Sequence, residues 1–209
     1  MKSWGPIYPV VLIAVLTAVG TPSDAARQPG EVPSAGSLAG QFLVATPELE
    51  DPNFDHTVVY LISHDETGAM GLVINRVVAK GPLNRLLEDL GVESEAADSQ
   101  EVRIHYGGPV DPSRAFVLHS SDYQSDDTVQ LAGGIAMTGS LDVLEDIAAG
   151  HGPKRRLLAI GYAGWAPDQL EQEVAAGAWV TVPADEALLF DDRIETKWQR
   201  AMQRRGIDL

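Results

Sequence analysis

Hydrophobic positions in this chain fall in short blocks that switch between the strand period and the helix period. Phe42-Leu43-Val44-Ala45 is a compact apolar block stopped by Pro47. Thr57 to Ile62 is β-branched and apolar on both faces, the pattern of a strand covered on both sides. Asp51-Pro52-Asn53-Phe54-Asp55 between them predicts a turn, because Asp and Asn side chains bond nearby backbone and Pro fixes φ. Asp65-Glu66-Thr67-Gly68 turns the chain again and Gly71 to Asn75 returns, which predicts a hairpin. After Pro82, Leu83, Leu86, Leu87 and Leu90 repeat at i, i+3, i+4 and i+7, a one-sided helical stripe closed by Gly91.

The second half alternates more strictly. Val102 to Tyr106 and Ala115 to His119 read as strands bracketing Gly107-Gly108-Pro109-Val110-Asp111-Pro112, and Val129 to Leu131 pairs with Ile135 to Met137 across Gly133-Gly134. Ser140 is a candidate N-cap for a helix with Leu141, Leu144 and Ile147 inward. Leu157 to Ile160 predicts a strand that runs into a turn at Gly161 to Gly164. A helix then opens at Pro167, with Leu170 and Val174 inward. Ala178 to Val182 is a further strand and Ala184 to Phe190 a short helix. Ile194, Trp198, Ala201 and Met202 mark a final amphipathic helix with its arginines outward. Strands grouped early and then alternating with helices predict an α+β (mixed α/β) fold with a bent, largely antiparallel sheet, in a single domain over 37–209.

Ahead of that domain, Lys2 precedes an apolar run from Val10 to Val19, broken at Thr21-Pro22 and followed by Ser23-Asp24-Ala25. The run is shorter than the about 20 residues a membrane span needs. It reads as a secretory signal over 1–25, with a Gly/Pro/Ser/Ala-rich flexible linker over 26–36. This predicts an exported, periplasmic protein with no stable membrane insertion once the signal is removed. An uncleaved anchor or a later start site are the alternatives, and the latter leaves the protein cytoplasmic. The 209-residue chain has a formal charge of −15 and 44% apolar residues, enough for one packed core. So acidic a surface repels phosphate backbones and disfavours nucleic acid as a partner. There is no cysteine, which excludes disulfides, thiolate nucleophiles and Cys-ligated zinc.

Candidate chemistry is sparse. The strand–Gly turn–helix unit at Gly161 to Glu171 would aim unpaired helical N–H groups at one spot, suited to an anion or a partner's carboxylate. The plainer alternative is that Trp165 pins the helix to the core. His56 and His64 lie about 26 Å apart along one strand, too far to share a metal. His105 and His119 sit on candidate neighbouring strands, and Asp122 follows His119 closely, so these three are the weak catalytic candidates. No Gly-x-Ser-x-Gly elbow and no phosphate-loop pattern is present. Glu171 and Glu173 point to different sides of their helix and do not form an acid/base pair. Asn75-Arg76 ends a buried strand, where Asn75 can bond loop backbone and Arg76 could meet an acid such as Asp89.

Several blocks together resemble the AlgH/YqgE family of bacterial proteins. They are Gly40 to Pro47, Asp51 to Phe54, Gly68 to Arg76, Gly107 to Val110, Phe116 to His119, Gly161 to Trp165, Gln169 to Glu171 and Leu188 to Asp191. The resemblance runs in order from Leu38 to Leu209. It implies a single-domain α/β fold with a bent, barrel-like sheet flanked by helices. The family's biochemical role is not established. One branch is named for regulation of alginate synthesis and described as transcriptional, and no catalytic residue or cofactor carries over. Val78 stands where Pro is common in the family and Asp168 where Gly is frequent. Asp168 would compete with an anion at that helix start.

The sequence therefore points to a non-enzymatic binding or regulatory module with no cofactor and no metal. Its partner is an unknown protein or small molecule. The expected contact platform is Gly107, Gly108 and Pro109 with Gly161, Gly164 and Trp165, extended by Gln169, Glu171, Asn75 and Arg76. The alternatives are a hydrolase-type enzyme using His119, or a transcriptional regulator reading DNA with the basic residues of Ile194 to Arg205.

Overall fold

A computed structural model describes residues 36–89 and 100–205. The signal reading over 1–25, nearly all of the linker, and the ends of the first helical stripe at Leu90 and Gly91 lie outside the described residues. Within them are ten strands and five α-helices.

The architecture is mixed α+β, a curled and largely antiparallel sheet with helices against it. In one direction the sheet runs β10 (Trp179–Pro183), β1 (Gln41–Ala45), β2 (Val58–Asp65), β3 (Gly68–Val73), β9 (Arg156–Trp165), β6 (Val110–Ser120), β8 (Ile135–Thr138) and β7 (Thr128–Gln130). Off this path, β4 (Val77–Pro82) pairs with β5 (Glu101–Tyr106), and β5 pairs with β9 in the one parallel contact of the described sheet. The expected hairpin is β2–β3, closed at Asp65, whose Oδ1 accepts from the Thr67 amide at 2.8 Å.

Strand β9 organises the rest. Its first half sits between β5 and β6, with Leu158, Ala159 and Ile160 in register with Ile104, His105 and Tyr106. Its second half leaves β5 and pairs with β3 through Ala163, Gly164 and Trp165. The exchange of neighbours happens at Gly161, with φ of +69°. There the Gly107 amide donates to the Ile160 carbonyl at 2.8 Å, and the Gly107 carbonyl accepts from Val73 at 2.8 Å. A β-carbon on Gly107 would overlap the Gly161 carbonyl oxygen, and one on Gly108 would overlap the Tyr162 backbone. These glycines therefore mark backbone lying on backbone. That corrects the expected turn: β9 runs unbroken through Gly161 and Gly164, and helix α3 (Gln169–Ala175) starts only after Asp168, which is left-handed at φ +62°.

Alternation along β1 shows how both sheet faces are filled. Phe42 and Val44 join Tyr60, Leu72, Phe116 and Leu118 under the helices α4 (Glu186–Leu189) and α5 (Ile194–Met202). Leu43 and Ala45 join Val59, Leu61, Trp165 and Trp179 on the other face, with Leu170 of α3. A third cluster gathers Leu83 and Leu87 of α1 (Leu83–Asp89) with Val143, Leu144 and Ile147 of α2 (Asp142–Ala148) over Val117 and Leu158. Two details of α2 differ from expectation. Ser140 does not cap it, its Oγ being buried without a partner, and Val143 points inward in place of Leu141, which is 39% exposed.

Candidate functional site

The glycine and tryptophan corner is closed by its own hydrogen bonds. Trp165 is 6% exposed, stacks on Phe54 and meets Trp179 edge-on. Glu173 Oε2 accepts from both indole N–H groups, at 2.9 Å from Trp165 and 2.7 Å from Trp179. Glu173 Oε1 accepts from Gln169 Nε2 at 2.8 Å, and Gln169 Oε1 accepts from the Ala166 amide at 3.0 Å. Glu171 turns the other way and accepts from His64 Nε2 at 2.7 Å, while His64 Nδ1 accepts from the Leu38 amide at 2.9 Å. That acceptor role at Nδ1 places the His64 proton on Nε2. Gly107, Gly108 and Gly161 are buried in the β9 crossing, and Pro109 and Gly164 are exposed beside it. With seven residues and no side-chain cap, α3 offers only a short helical start.

Asn75 and Arg76 staple the preceding loop. Asn75 Oδ1 accepts from the Val58 amide at 2.8 Å and its Nδ2 donates to the His56 carbonyl at 2.9 Å. Arg76 donates to the carbonyls of Asn53 at 2.8 Å and Asp55 at 2.7 Å, so its guanidinium is spent on backbone oxygens of that turn.

The His119 candidate is also internally satisfied. His119 is 0% exposed, Nδ1–H donates to the Ser120 carbonyl at 2.9 Å, and Nε2 accepts from Thr138 Oγ at 3.0 Å. Burial holds its pKa below the ordinary histidine value. Ser120 Oγ donates to Asp122 Oδ1 at 2.5 Å, away from the imidazole. Around His119, among the described residues, no hydroxyl, base and orienting acid line up as nucleophilic catalysis requires. His105 does not adjoin His119 either, because β9 lies between their strands.

Ionisable groups converge elsewhere. A cavity of about 440 Å³ opens between β5, the start of β9, α2 and the α4–α5 connection. His105, 5% exposed, is part of its wall. Its Nδ1–H donates to the Leu158 carbonyl at 3.1 Å, and its Nε2 is buried with no partner. Burial pushes its pKa down to about 4, so the ring is neutral and Nε2 is a bare acceptor. Lys197, 0% exposed, lines the same cavity and donates to the carbonyls of Leu189 at 2.9 Å and Ile74 at 3.3 Å. Burial pushes its pKa down to about 8.

The cavity wall carries more cation than anion. Arg103, Lys154, Arg155, Arg156 and Lys197 stand against Glu101, Asp191 and Asp192. Asp191 is held by Arg193 and Arg200, Asp192 by Arg103, and Arg155 by Glu186. The Arg193 hydrogen bonds hold the Asp191 carboxyl far below its ordinary range. Half-buried Arg156 donates to Pro153 O at 3.0 Å and to Gln100 Oε1, both neutral oxygens, and burial lowers its pKa. Among the described residues no group of three His, Asp or Glu side chains converges as a metal centre would.

Lys197 is the residue that sequence reasoning missed. Ile194, Lys197, Trp198 and Ala201 form an i, i+3, i+4, i+7 set, so the lysine stands on the apolar stripe of α5. A cation on the inward face of an amphipathic helix was the available signal.

Fold and site define a mixed α+β protein with a curled, largely antiparallel sheet and a polar, cation-rich cavity beside it. The chain belongs to the AlgH-like family, whose model matches residues 42–209. It is 43% identical over 183 residues to a UPF0301 protein of Methylococcus capsulatus, covering 87% of this chain and all of that protein. It is 44% identical to the AlgH protein of Pseudomonas aeruginosa, whose solution structure superposes with a TM-score of 0.71 over 86% of this chain and 94% of that one. A crystal structure from Corynebacterium diphtheriae, 21% identical with a TM-score of 0.65, shares the fold over 87% of this chain and 92% of its own. The resemblance drawn from the sequence blocks is thereby established.

Proposed function

We propose that the protein is a non-enzymatic binding module whose ligand is a small anion taken into the His105–Lys197 cavity. The observation that carries this is that Lys197 has no salt bridge among the described residues, the carboxylates of Asp191 and Asp192 acting on it only from a distance. A fully buried ammonium bonded only to backbone carbonyls retains a large desolvation cost, and a bound anion would offset it. Half-buried Arg156, whose hydrogen-bond partners among the described residues are neutral, adds a second cation. On a chain of formal charge −15, a positive recess also concentrates the local field on one spot.

This reading moves the contact site away from the Gly107–Trp165 platform, whose polar groups are consumed internally. It also favours a small molecule over DNA. Of the basic residues in the last helical segment, Arg193 and Arg200 are neutralised by Asp191 and Arg204 by Asp185. Export by the leader over 1–25 belongs to the same proposal, and a mature N-terminus at Ala26 in a periplasmic fraction would support it.

Titration calorimetry with inorganic phosphate tests the anion site. Binding to the full chain, weakened at least tenfold in both Lys197→Met and Arg156→Gln, supports it. No heat with phosphate or sulfate at low ionic strength, from a folded wild-type sample, sinks it.

A further inference from the structure

Resting on the anion reading above, the chemistry of the cavity wall narrows the ligand. We infer that it is a phosphate monoester of a hydroxylated carbon skeleton, its phosphate facing Arg156 and Lys197 and a hydroxyl donating to His105 Nε2.

The hydroxyl follows from the tautomer. His105 spends its single proton, on Nδ1, on the Leu158 carbonyl. Nε2 presents only a lone pair, and it is buried without a partner. A deprotonated carboxylate or a bare dianion has nothing to give that atom, and an acceptor facing an acceptor is repulsive. A ligand that satisfies it must bring a hydrogen-bond donor.

The phosphate follows from charge. With Arg155 held by Glu186 and Arg103 by Asp192, the wall leaves Lys154, Arg156 and Lys197 without a salt bridge among the described residues, against Glu101, a surplus of two positive charges. Asp191 and Asp192 are already engaged by arginines. A dianion balances that surplus, whereas a monocarboxylate leaves one charge over. Lys197 uses two of its three N–H groups on Leu189 and Ile74, and the third has no partner among the described residues.

Size agrees with both. At about 440 Å³ the cavity lies within the range of small-metabolite sites and exceeds what a bare oxyanion fills. A skeleton joining phosphate to hydroxyl would occupy the remainder against Val117, Leu144 and Ile147.

The experiment compares ribose 5-phosphate, ethyl phosphate and inorganic phosphate by calorimetry on wild type and His105→Phe, which keeps a ring of similar size but removes the acceptor. The expected result is ribose 5-phosphate at least tenfold tighter than ethyl phosphate in wild type. In His105→Phe that ratio falls toward one, with ethyl phosphate unchanged. In parallel, the Nε2 nitrogen resonance of His105 should move upfield with ribose 5-phosphate and stay fixed with ethyl phosphate. This readout stands even if His105→Phe fails to fold. Equal affinities with an unmoved Nε2 resonance overturn the hydroxyl contact while leaving the anion site standing. Absence of binding by all three overturns the anion site, and this inference with it.

Discussion

The backbone of Gly107 lies directly on the backbone of Gly161, so that a β-carbon on the first would overlap the carbonyl oxygen of the second. Because the obstruction is main chain on both sides, no rotamer change relieves it. Gly107→Ala should therefore lower stability by about 3 kcal/mol, at the upper end for overpacked sites. Urea denaturation checks this. Gly139→Ala, where a β-carbon meets nothing within 4 Å, should change stability by less than about 0.5 kcal/mol.

Glu173 gathers two indole N–H groups on one carboxylate oxygen. Glu173→Gln keeps the shape but weakens charge-assisted bonds and can turn an NH₂ toward the indoles. The expected cost is about 1–3 kcal/mol. Tryptophan fluorescence should change with it, since Trp165 and Trp179 lose their common anchor.

Alkaline pH should stabilise this protein, which is an unusual direction. Lys197 has a folded pKa of about 8 against an ordinary 10.5. Between those values the unfolded chain holds the proton and the folded chain does not, so stability rises with pH. The gain is of order 3 kcal/mol if the window is fully crossed. Tyr123, pushed up to about 12 chiefly by burial, and Tyr60, raised by burial, keep their protons in the fold and oppose the gain above about pH 10. The rise should therefore be clearest from pH 8 to 10 and absent in Lys197→Met.

On the acid side His105 works in the same sense. Its folded pKa of about 4 lies below the ordinary 6.5, so the unfolded state binds more protons between the two. Stability should fall as pH drops from 6.5 to 4, by about 3 kcal/mol from this group. His119, lowered by burial, pushes the same way in this window, whereas Asp191, lowered by its arginines from an ordinary 3.8, adds its loss only at still lower pH. Denaturation of His105→Asn across this window should show a shallower slope than wild type.

How much of this was legible depended on whether the cause was local. Phe42 to Ala45 and Thr57 to Ile62 announce doubly covered strands because both faces are apolar, and the structure buries both. Val77 to Pro82 gave no such signal. It is a partly exposed strand at the sheet margin containing Lys80, Gly81 and Pro82, and only pairing with β5 makes it extended. Gly161 and Gly164 read locally as a turn, yet the reason for Gly161 is Gly107, more than fifty residues away in sequence. His105 was legible as a candidate, but its neighbour proved to be Lys197 at the cavity and not His119. The lysine escaped because charge is normally assigned to the wet side of a helix, and here the helix carries it inward.

The exchange of neighbours along β9 has a consequence for how the chain is made. While residues before 156 emerge from the ribosome, three separate pieces have their partners present: β1–β2–β3, β4–β5 and β6–β8–β7. Strand pairing joins these pieces only when β9 arrives to bridge β3, β5 and β6, and β1 gains its outer neighbour later still, with β10. Completion of the sheet is thus a late event in synthesis. A nascent chain truncated ahead of Arg156 is left with its apolar strands unshielded and open to aggregation.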